Sequence, residues 1–312
     1  MKVLVTPTSL DAASTLPAMQ KLRANVDEIV YNTTGGPLHA DQLTPLLADV
    51  DGVVAGLDDY TADVINAAGP NLKIISRYGV GSDRVDIAAA TARGIIVKVT
   101  PGANAVAVAE LALGLIFGLA RHIPALDRAV RAGGWPRSHG MELTGKTLGI
   151  VGVGAIGREL AKRAEGIGMT VQGYDPVVDA ATMQAAGIKP VTMAELLATS
   201  DVVSLHVPLL DSTRHIIDAA ALASMKKGAL LVNTARGGLI DEDAAYDALK
   251  SGQLGGLALD AYEVEPPAGS KLFELDSVIA TPHTGAHTDE ATAKMAQMAV
   301  DNLLEVLGAA SA

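Results

Sequence analysis

Short apolar runs bounded by turn residues alternate along the chain with stretches of helical periodicity. The first series contains the strand-like runs KVLVTP, DEIVYN, DGVVAG, KIISR and GIIVKV, separated by helix-like stretches over residues 14–25, 61–68 and 86–92. Such alternation predicts a parallel sheet with helices on its faces. The segment TPGAN at residues 100–104 interrupts it, and Asn104 is placed to cap the long apolar helix that follows. A second series begins at Lys146. It runs TLGIVGVG, a helix from Ile156 through Ala164, TVQGYD, a helix near Asp179, DVVSLHV, ALLVNTA, a helix over residues 243–250, GGLALDAY and SVIATPH. An amphipathic helix from about residue 287 to 307 closes the pattern and is expected to return to the first unit. The predicted fold class is α/β with two doubly wound parallel-sheet domains. One is discontinuous, residues 1–101 with 287–312, and the other spans residues 102–286.

Length supports this division, because 312 residues, 49% of them hydrophobic, exceed the usual size of one core. Charge narrows the partners: 24 basic against 35 acidic residues give a net −11, with both signs interspersed. That pattern offers no footprint for nucleic acid or an anionic membrane surface. The apolar stretch over residues 105–120 falls short of the roughly 20 residues a membrane span requires and carries Glu110, so a buried helix is expected. With no cysteine in the chain, disulfides, thiolate metal sites and a cysteine nucleophile are excluded. The start MKVLVTP lacks a signal-peptide pattern, and a cytoplasmic protein is expected.

The segment from Lys146 to Gly157 reads as a strand, then Gly152, Gly154 and Gly157 in G-x-G-x-x-G spacing around Ala155, then a helix from Ile156. The first glycine turns the chain, the second admits a pyrophosphate, and the third lets helix pack on strand. Pyrophosphate would rest on the amides of the helix N-terminus. The next strand ends in Asp175, close to the offset of about 20 residues expected for the acid that binds the ribose hydroxyls. A carboxylate there, followed by Pro176, Val177 and Val178 without a nearby cation, points to NAD rather than NADP.

Six ordered blocks carry a resemblance over nearly the whole chain: SRYGVGSDRVD, ELTGKTLGIVGVGAIG, SLHVPLL, NTARGGLID, LDAYEVEP and TPHTG. The chain resembles the D-isomer-specific 2-hydroxyacid dehydrogenases, a group that includes phosphoglycerate dehydrogenases and hydroxypyruvate reductases. The resemblance implies a Rossmann NAD-binding domain and a flavodoxin-like substrate domain. It also implies reversible hydride transfer between NAD(H) and C2 of a small 2-hydroxy or 2-oxo acid. It assigns Arg236 to the substrate carboxylate and carbonyl, His283 to acid/base work and Glu265 to pairing with His283. Tyr78, Gly79, Val80 and Gly81 are assigned to the substrate carboxylate. Asp260 is put near the nicotinamide carboxamide, Thr234 and Ala235 beside the nicotinamide ring, and Val207 and Pro208 along the adenine.

The chemistry asks for the same residue types. A guanidinium fork fits a carboxylate, and a cation beside a proton donor stabilises the charge that grows on a carbonyl oxygen as hydride arrives. Histidine changes charge near neutral pH, and an adjacent carboxylate favours its protonated form. The other histidines, His39, His122, His139, His206, His215 and His287, lie outside comparable blocks. Arg77 is read either as a contact for a second anionic group such as a phosphate or as an exposed strand-end charge. A carboxylate-tuned histidine argues against formate oxidation, which releases no hydroxyl proton. Phosphite oxidation and an NAD(H)-sensing, corepressor-like binding role remain as alternatives. Gly114 and Gly118 on the apolar 105–120 helix suggest close helix approach in a homodimer.

Overall fold

The computed structural model describes residues 1–309, which form two compact units, residues 1–104 with 287–309, and residues 105–286. In the first unit, β1 (Lys2–Val5), β2 (Glu28–Tyr31), β3 (Gly52–Ala55), β4 (Ile74–Arg77) and β5 (Ile96–Lys98) form a parallel sheet of order β2-β1-β3-β4-β5. This is the strand order of flavodoxin-like sheets. The helices α1 (Pro17–Asn25), α2 (Ala40–Leu46), α3 (Ala62–Ala67) and α4 (Ile87–Ala92) connect its strands.

Strand periodicity shows how the core is divided. Val3 and Val5 pack with Met19 and Leu22 on one face, whereas Leu4, between them, packs with Leu43 and Ile65 on the other. Both faces are covered, which is why these strands read as continuous apolar runs. Thr61 and Asp86 accept hydrogen bonds from Val64 N and Ala89 N, fixing the starts of α3 and α4.

The second unit opens with α5 (Ala105–Ala120) and α6 (Ile123–Arg131). Its parallel sheet contains β6 (Thr147–Val151), β7 (Thr170–Tyr174), β8 (Lys189–Pro190), β9 (Val202–Leu205), β10 (Ala229–Asn233), β11 (Leu254–Leu259) and β12 (Val278–Ala280). The order β12-β11-β10-β9-β6-β7-β8 reverses direction between β6 and β9, which makes a doubly wound Rossmann sheet. The helices α7 (Ala155–Gly166), α8 (Ala180–Ala185), α9 (Met193–Thr199), α10 (Ala219–Ser224) and α11 (Glu242–Ser251) lie between the strands in sequence. Ile150 and Val232 pack with α5 and α7 residues on one face, and Val151 and Leu231 with α9 to α11 residues on the other.

The closing helix α12 (Asp289–Ala309) packs in the first unit, against α1, β3 and β4. Ser76 Oγ donates to Ala299 O across 2.8 Å inside that contact.

Several local expectations need correction. Asn104 caps nothing: its Oδ1 is buried without a hydrogen-bond partner. Helix α1 begins at Pro17 rather than Ser14, since proline suits a first helical turn. The alternation leaves α2, α6, α9, α10 and the two-residue β8 unmarked. Helix α2 contains Pro45, and α6 buries no residue. Helix α5 is apolar because most of it is enclosed in its own unit, with Ala109, Ala112 and Ile116 fully buried. Among the described residues no single helix is long and apolar enough to cross a membrane; only the α5–α6 pair, bent by 63°, reaches the necessary length and composition.

Candidate active site

In the second unit, the residues singled out in the sequence all follow the carboxyl ends of parallel strands. That edge is where open α/β sheets bind ligands. The Gly152–Gly157 turn follows β6, Asp175 follows β7, Val207 and Pro208 follow β9, and Thr234 to Arg236 follow β10. Asp260 and Glu265 follow β11, and His283 follows β12.

The glycine-rich turn fits a dinucleotide. Gly152 has φ +99°, and a Cβ there would sit 2.6 Å from the backbone of His206 and Val207. A Cβ at Gly157 would meet Gly152 O at 2.3 Å. Around Gly154, by contrast, nothing lies within 4 Å of an added Cβ, and no side chain caps the helix that starts there. The first-turn amides of α7 are thus presented to an anion. Asp175 ties the turn to the next loop, its Oδ2 accepting from Val153 N at 2.7 Å and its Oδ1 from Val177 N and Val178 N. Thr234 Oγ1 is buried without a partner, an orphaned polar atom of the kind a ligand satisfies. The residues therefore suit NAD, with a carboxylate where a 2'-phosphate would be repelled.

The strands β10, β11 and β12 are neighbours, and Asn233, Leu259 and Ala280 at their ends pair in register. Arg236 and His283 each come three residues after such a paired end. Asn233, fully buried, shapes the first loop: its Nδ2 donates to Arg236 O and its Oδ1 accepts from Ala235 N. Gly237 lets that loop press on the next, since a Cβ there would lie 1.8 Å from Tyr262 C.

His283 Nδ1 lies 2.9 Å from Glu265 Oε1 and 3.1 Å from Oε2. Glu265 Oε1 also accepts from Tyr262 N at 3.1 Å, which orients the carboxylate. Burial, helped by the nearby Asp260 charge, pushes the Tyr262 phenol up to about 12. It therefore remains a donor at neutral pH, bonding Thr281 O at 2.8 Å and Leu259 O at 3.1 Å.

Three features escaped the sequence. Asp260 is engaged by the loop after β12, through Thr281 Oγ1, Thr284 N and Gly285 N. A second imidazole–carboxylate pair joins His215 Nε2 to Glu263 Oε1 at 2.9 Å, on the segment that carries Glu265. His206 bonds Ser204 Oγ at 2.9 Å, while its Nδ1 is enclosed without a partner, and burial lowers its pKa to about 4. Asp260 and His206 carried one sequence signal, a position just beyond a strand end, and the His215–Glu263 pair carried none.

In the first unit, Tyr78, Gly79, Val80 and Gly81 follow β4, and Gly79 adopts φ +142°. Arg77 is not an exposed strand-end charge. It is 2% exposed, with Nη1 donating to Ala55 O at 2.7 Å and Nε to Gly81 O at 3.0 Å.

The chain belongs to the D-isomer specific 2-hydroxyacid dehydrogenase family, whose NAD binding domain matches residues 113–285. It is 44% identical to a hydroxypyruvate reductase of Thermotoga maritima, over 92% of this chain and 94% of that protein. It is 42% identical to a D-3-phosphoglycerate dehydrogenase of Methanocaldococcus jannaschii, over 98% of this chain but 57% of that longer protein. The chain thus spans little more than half the length of that relative. A glyoxylate reductase structure from Paecilomyes thermophila superposes with TM-score 0.86 at 33% identity, covering 96% of this chain and 93% of that one. The protein is accordingly an NAD-dependent oxidoreductase acting on the CH–OH group of 2-hydroxy acids.

Proposed function

We propose that the protein interconverts a small, unphosphorylated 2-oxo acid of the hydroxypyruvate or glyoxylate kind and its 2-hydroxy acid, using Arg236, Glu265 and His283. The observation that carries this reading is the His283–Glu265 pair. With Nδ1 held by a carboxylate at 2.9 Å, Nε2 is the ring atom for proton exchange with substrate.

Bound NAD(H) supplies or takes up the hydride at C2. Arg236 pairs with the substrate carboxylate and neutralises charge that develops on the carbonyl oxygen. His283 gives its proton to that oxygen in reduction and removes it in oxidation. Glu265 touches the far side of the ring and stabilises the imidazolium. The turn from Gly152 through Ala155, Ile156 and Gly157 holds the pyrophosphate, and Asp175 uses its remaining acceptor capacity on the ribose. Val207 and Pro208 would hold the adenine, and Thr234 and Ala235 the nicotinamide. Residues 102–286 are the NAD-binding domain, and residues 1–101 with 287–312 the substrate domain. There the Tyr78–Gly81 loop receives the substrate carboxylate.

Two observations favour an unphosphorylated substrate. Arg77 is buried, and its Nη1 and Nε donate to Ala55 O and Gly81 O, which braces the loop. The nearby Arg84 pairs with Asp59 at 2.9 Å. Oxidation of NADH by purified protein with hydroxypyruvate, glyoxylate and 3-phosphohydroxypyruvate tests the reading. A kcat/KM at least tenfold higher for an unphosphorylated acid is expected. Preference for the phosphorylated acid overturns the substrate assignment, and no turnover with any 2-oxo acid favours the NAD(H)-sensing role.

We also propose a homodimer, on different grounds from the α5 glycines. Ile123, Leu126 and Val130 share one face of α6, where Ile123 is 53% and Val130 50% exposed, and Trp135 beyond it is 78% exposed. A concentration-independent monomer in sedimentation overturns this. The interspersed charge and net −11 suit a small-molecule enzyme with no nucleic-acid or membrane partner, and the cysteine-free chain suits the reducing cytoplasm.

A further inference from the structure

We propose that Thr100 is a positioning residue that sets the loop from Tyr78 to Gly81, and through it the amides offered to the substrate carboxylate. The inference rests on the reading that this loop receives the carboxylate. Thr100 follows β5 and precedes Pro101, and a proline holds the residue before it in extended backbone. Its side chain is fully buried. Ser76 pairs with Lys98 where β4 and β5 run side by side. A regular continuation would set Thr100 opposite Tyr78 and give Gly79 N–H to the Thr100 carbonyl. The chain departs from that pattern. Gly79 N donates to Thr100 Oγ1 at 3.0 Å, and Thr100 N donates to Gly79 O at 3.0 Å.

One residue thus holds both main-chain polar groups of Gly79, and its hydroxyl stands in for a backbone carbonyl. Gly79 requires such restraint. Its φ of +142° lies where other residues are rarely found, and glycine has the most backbone freedom to lose. Space is not the reason for glycine, since a Cβ there would come no nearer than 3.8 Å, to Arg77 Nη2. On either side the loop is tied down as well: Tyr78 N donates to Ala55 O at 2.9 Å, and Gly81 O accepts from Arg77 Nε at 3.0 Å. Among the described residues, Val80 N and Gly81 N meet no acceptor. Two successive amides left open between anchored neighbours make a concavity suited to an anion. Thr100 fixes the residue that leads into it, so the direction of those amides is set before substrate arrives.

The test compares the parent protein with Thr100→Val, which keeps the shape and removes the acceptor, and with Thr100→Ser, which keeps the hydroxyl. Readouts are KM and kcat for glyoxylate and hydroxypyruvate at saturating NADH, and NADH Kd from nicotinamide fluorescence. The Val80 amide resonance, assigned by its loss in Val80→Ala, is followed as the NADH complex is titrated with oxamate. Thr100→Val should raise KM about tenfold, with kcat within about threefold and NADH Kd within about twofold of the parent, and Thr100→Ser should stay near the parent. An unmoved KM in Thr100→Val overturns the proposal. So does a Thr100→Ser variant as impaired as Thr100→Val, which would make the side chain a packing group only. If Thr100→Val fails to fold, the parent protein decides: its Gly79 amide should exchange with solvent at least about tenfold more slowly than the Val80 amide, and equal rates overturn the proposal. Oxamate that leaves the Val80 amide unmoved in the parent instead sinks the loop reading, and the Gly79 exchange rate then reports on the Thr100 anchor separately.

Discussion

Glu265 and His283 come from loops that follow adjacent parallel strands, and both carboxylate oxygens of Glu265 lie within 3.1 Å of His283 Nδ1. The pair is partly shielded, with side-chain exposures of 24% for Glu265 and 27% for His283. Attraction between a carboxylate and an imidazolium is stronger there than at an open surface.

Glu265→Gln keeps the shape of this contact and removes its charge. The imidazolium loses its counter-charge, so oxo acid reduction, which takes its proton from the ring, should slow by about tenfold at saturating substrate. His283→Asn should instead depress both directions, by about 10²–10⁴-fold. Reduction by Glu265→Gln at the parent rate would make Glu265 a structural residue only.

Arg236→Lys retains the charge but loses the planar fork. The kcat/KM for the oxo acid should fall by about 10²–10³-fold, with losses in both kcat and KM, because carboxylate pairing and carbonyl polarisation are weakened together. Steady-state kinetics near the parent values would show that Arg236 touches neither group.

Asp175 ties the glycine turn to the loop after β7 and, on the proposed reading, also selects the cofactor. Asp175→Asn preserves an acceptor for Val153 N or Val177 N while deleting the charge that repels a 2'-phosphate. The ratio of kcat/KM with NADH to that with NADPH should fall at least tenfold. An unchanged ratio would place cofactor discrimination elsewhere.

His206 predicts an acid-side loss of stability. Burial lowers its folded pKa to about 4 from 6.5, so between those values the unfolded chain binds the extra proton. Stability therefore falls as pH drops through that window, by up to about 3 kcal/mol once pH is below 4. Thermal melting of His206→Gln at pH 7 and pH 4.5 should show a smaller acid-induced drop than the parent. Equal drops in both proteins would assign the effect to other groups.

The second-unit glycine turn, the acid after β7 and the arginine, glutamate and histidine after β10, β11 and β12 were legible as local motifs, because each lies in a short block of distinctive residue types. The strands were legible because each is buried on both faces, so β3 and β10 read as unbroken apolar runs. Helix α2 was not, since Pro45 and a polar composition hide a seven-residue helix. Helix α6 carries a helical signal, Ile123, Leu126 and Val130 on one face after a first-turn Pro124, but it lies between the two strand–helix series and so outside the alternation. The burial of Arg77 was hidden for a related reason: its guanidinium donates to carbonyls at Ala55 and Gly81, and such pairing has no sequence signature.

The sequence by itself determined that the chain alternates strand and helix twice over, carries a dinucleotide turn, and holds an arginine, a glutamate and a histidine in strand-following loops. Each of those is a local property, set by side-chain type, hydrophobic period and backbone freedom. Only the tertiary structure decided that Glu265 meets His283, that Gly237 seats one loop on the next, and that the Asp260 carboxylate accepts from Thr284 N and Gly285 N. Those relations arise from the parallel register of β10, β11 and β12, which aligns the ends of segments far apart in sequence. Strand pairing fixes that alignment through backbone bonds that every residue type except proline can make, so residue identities leave it unstated.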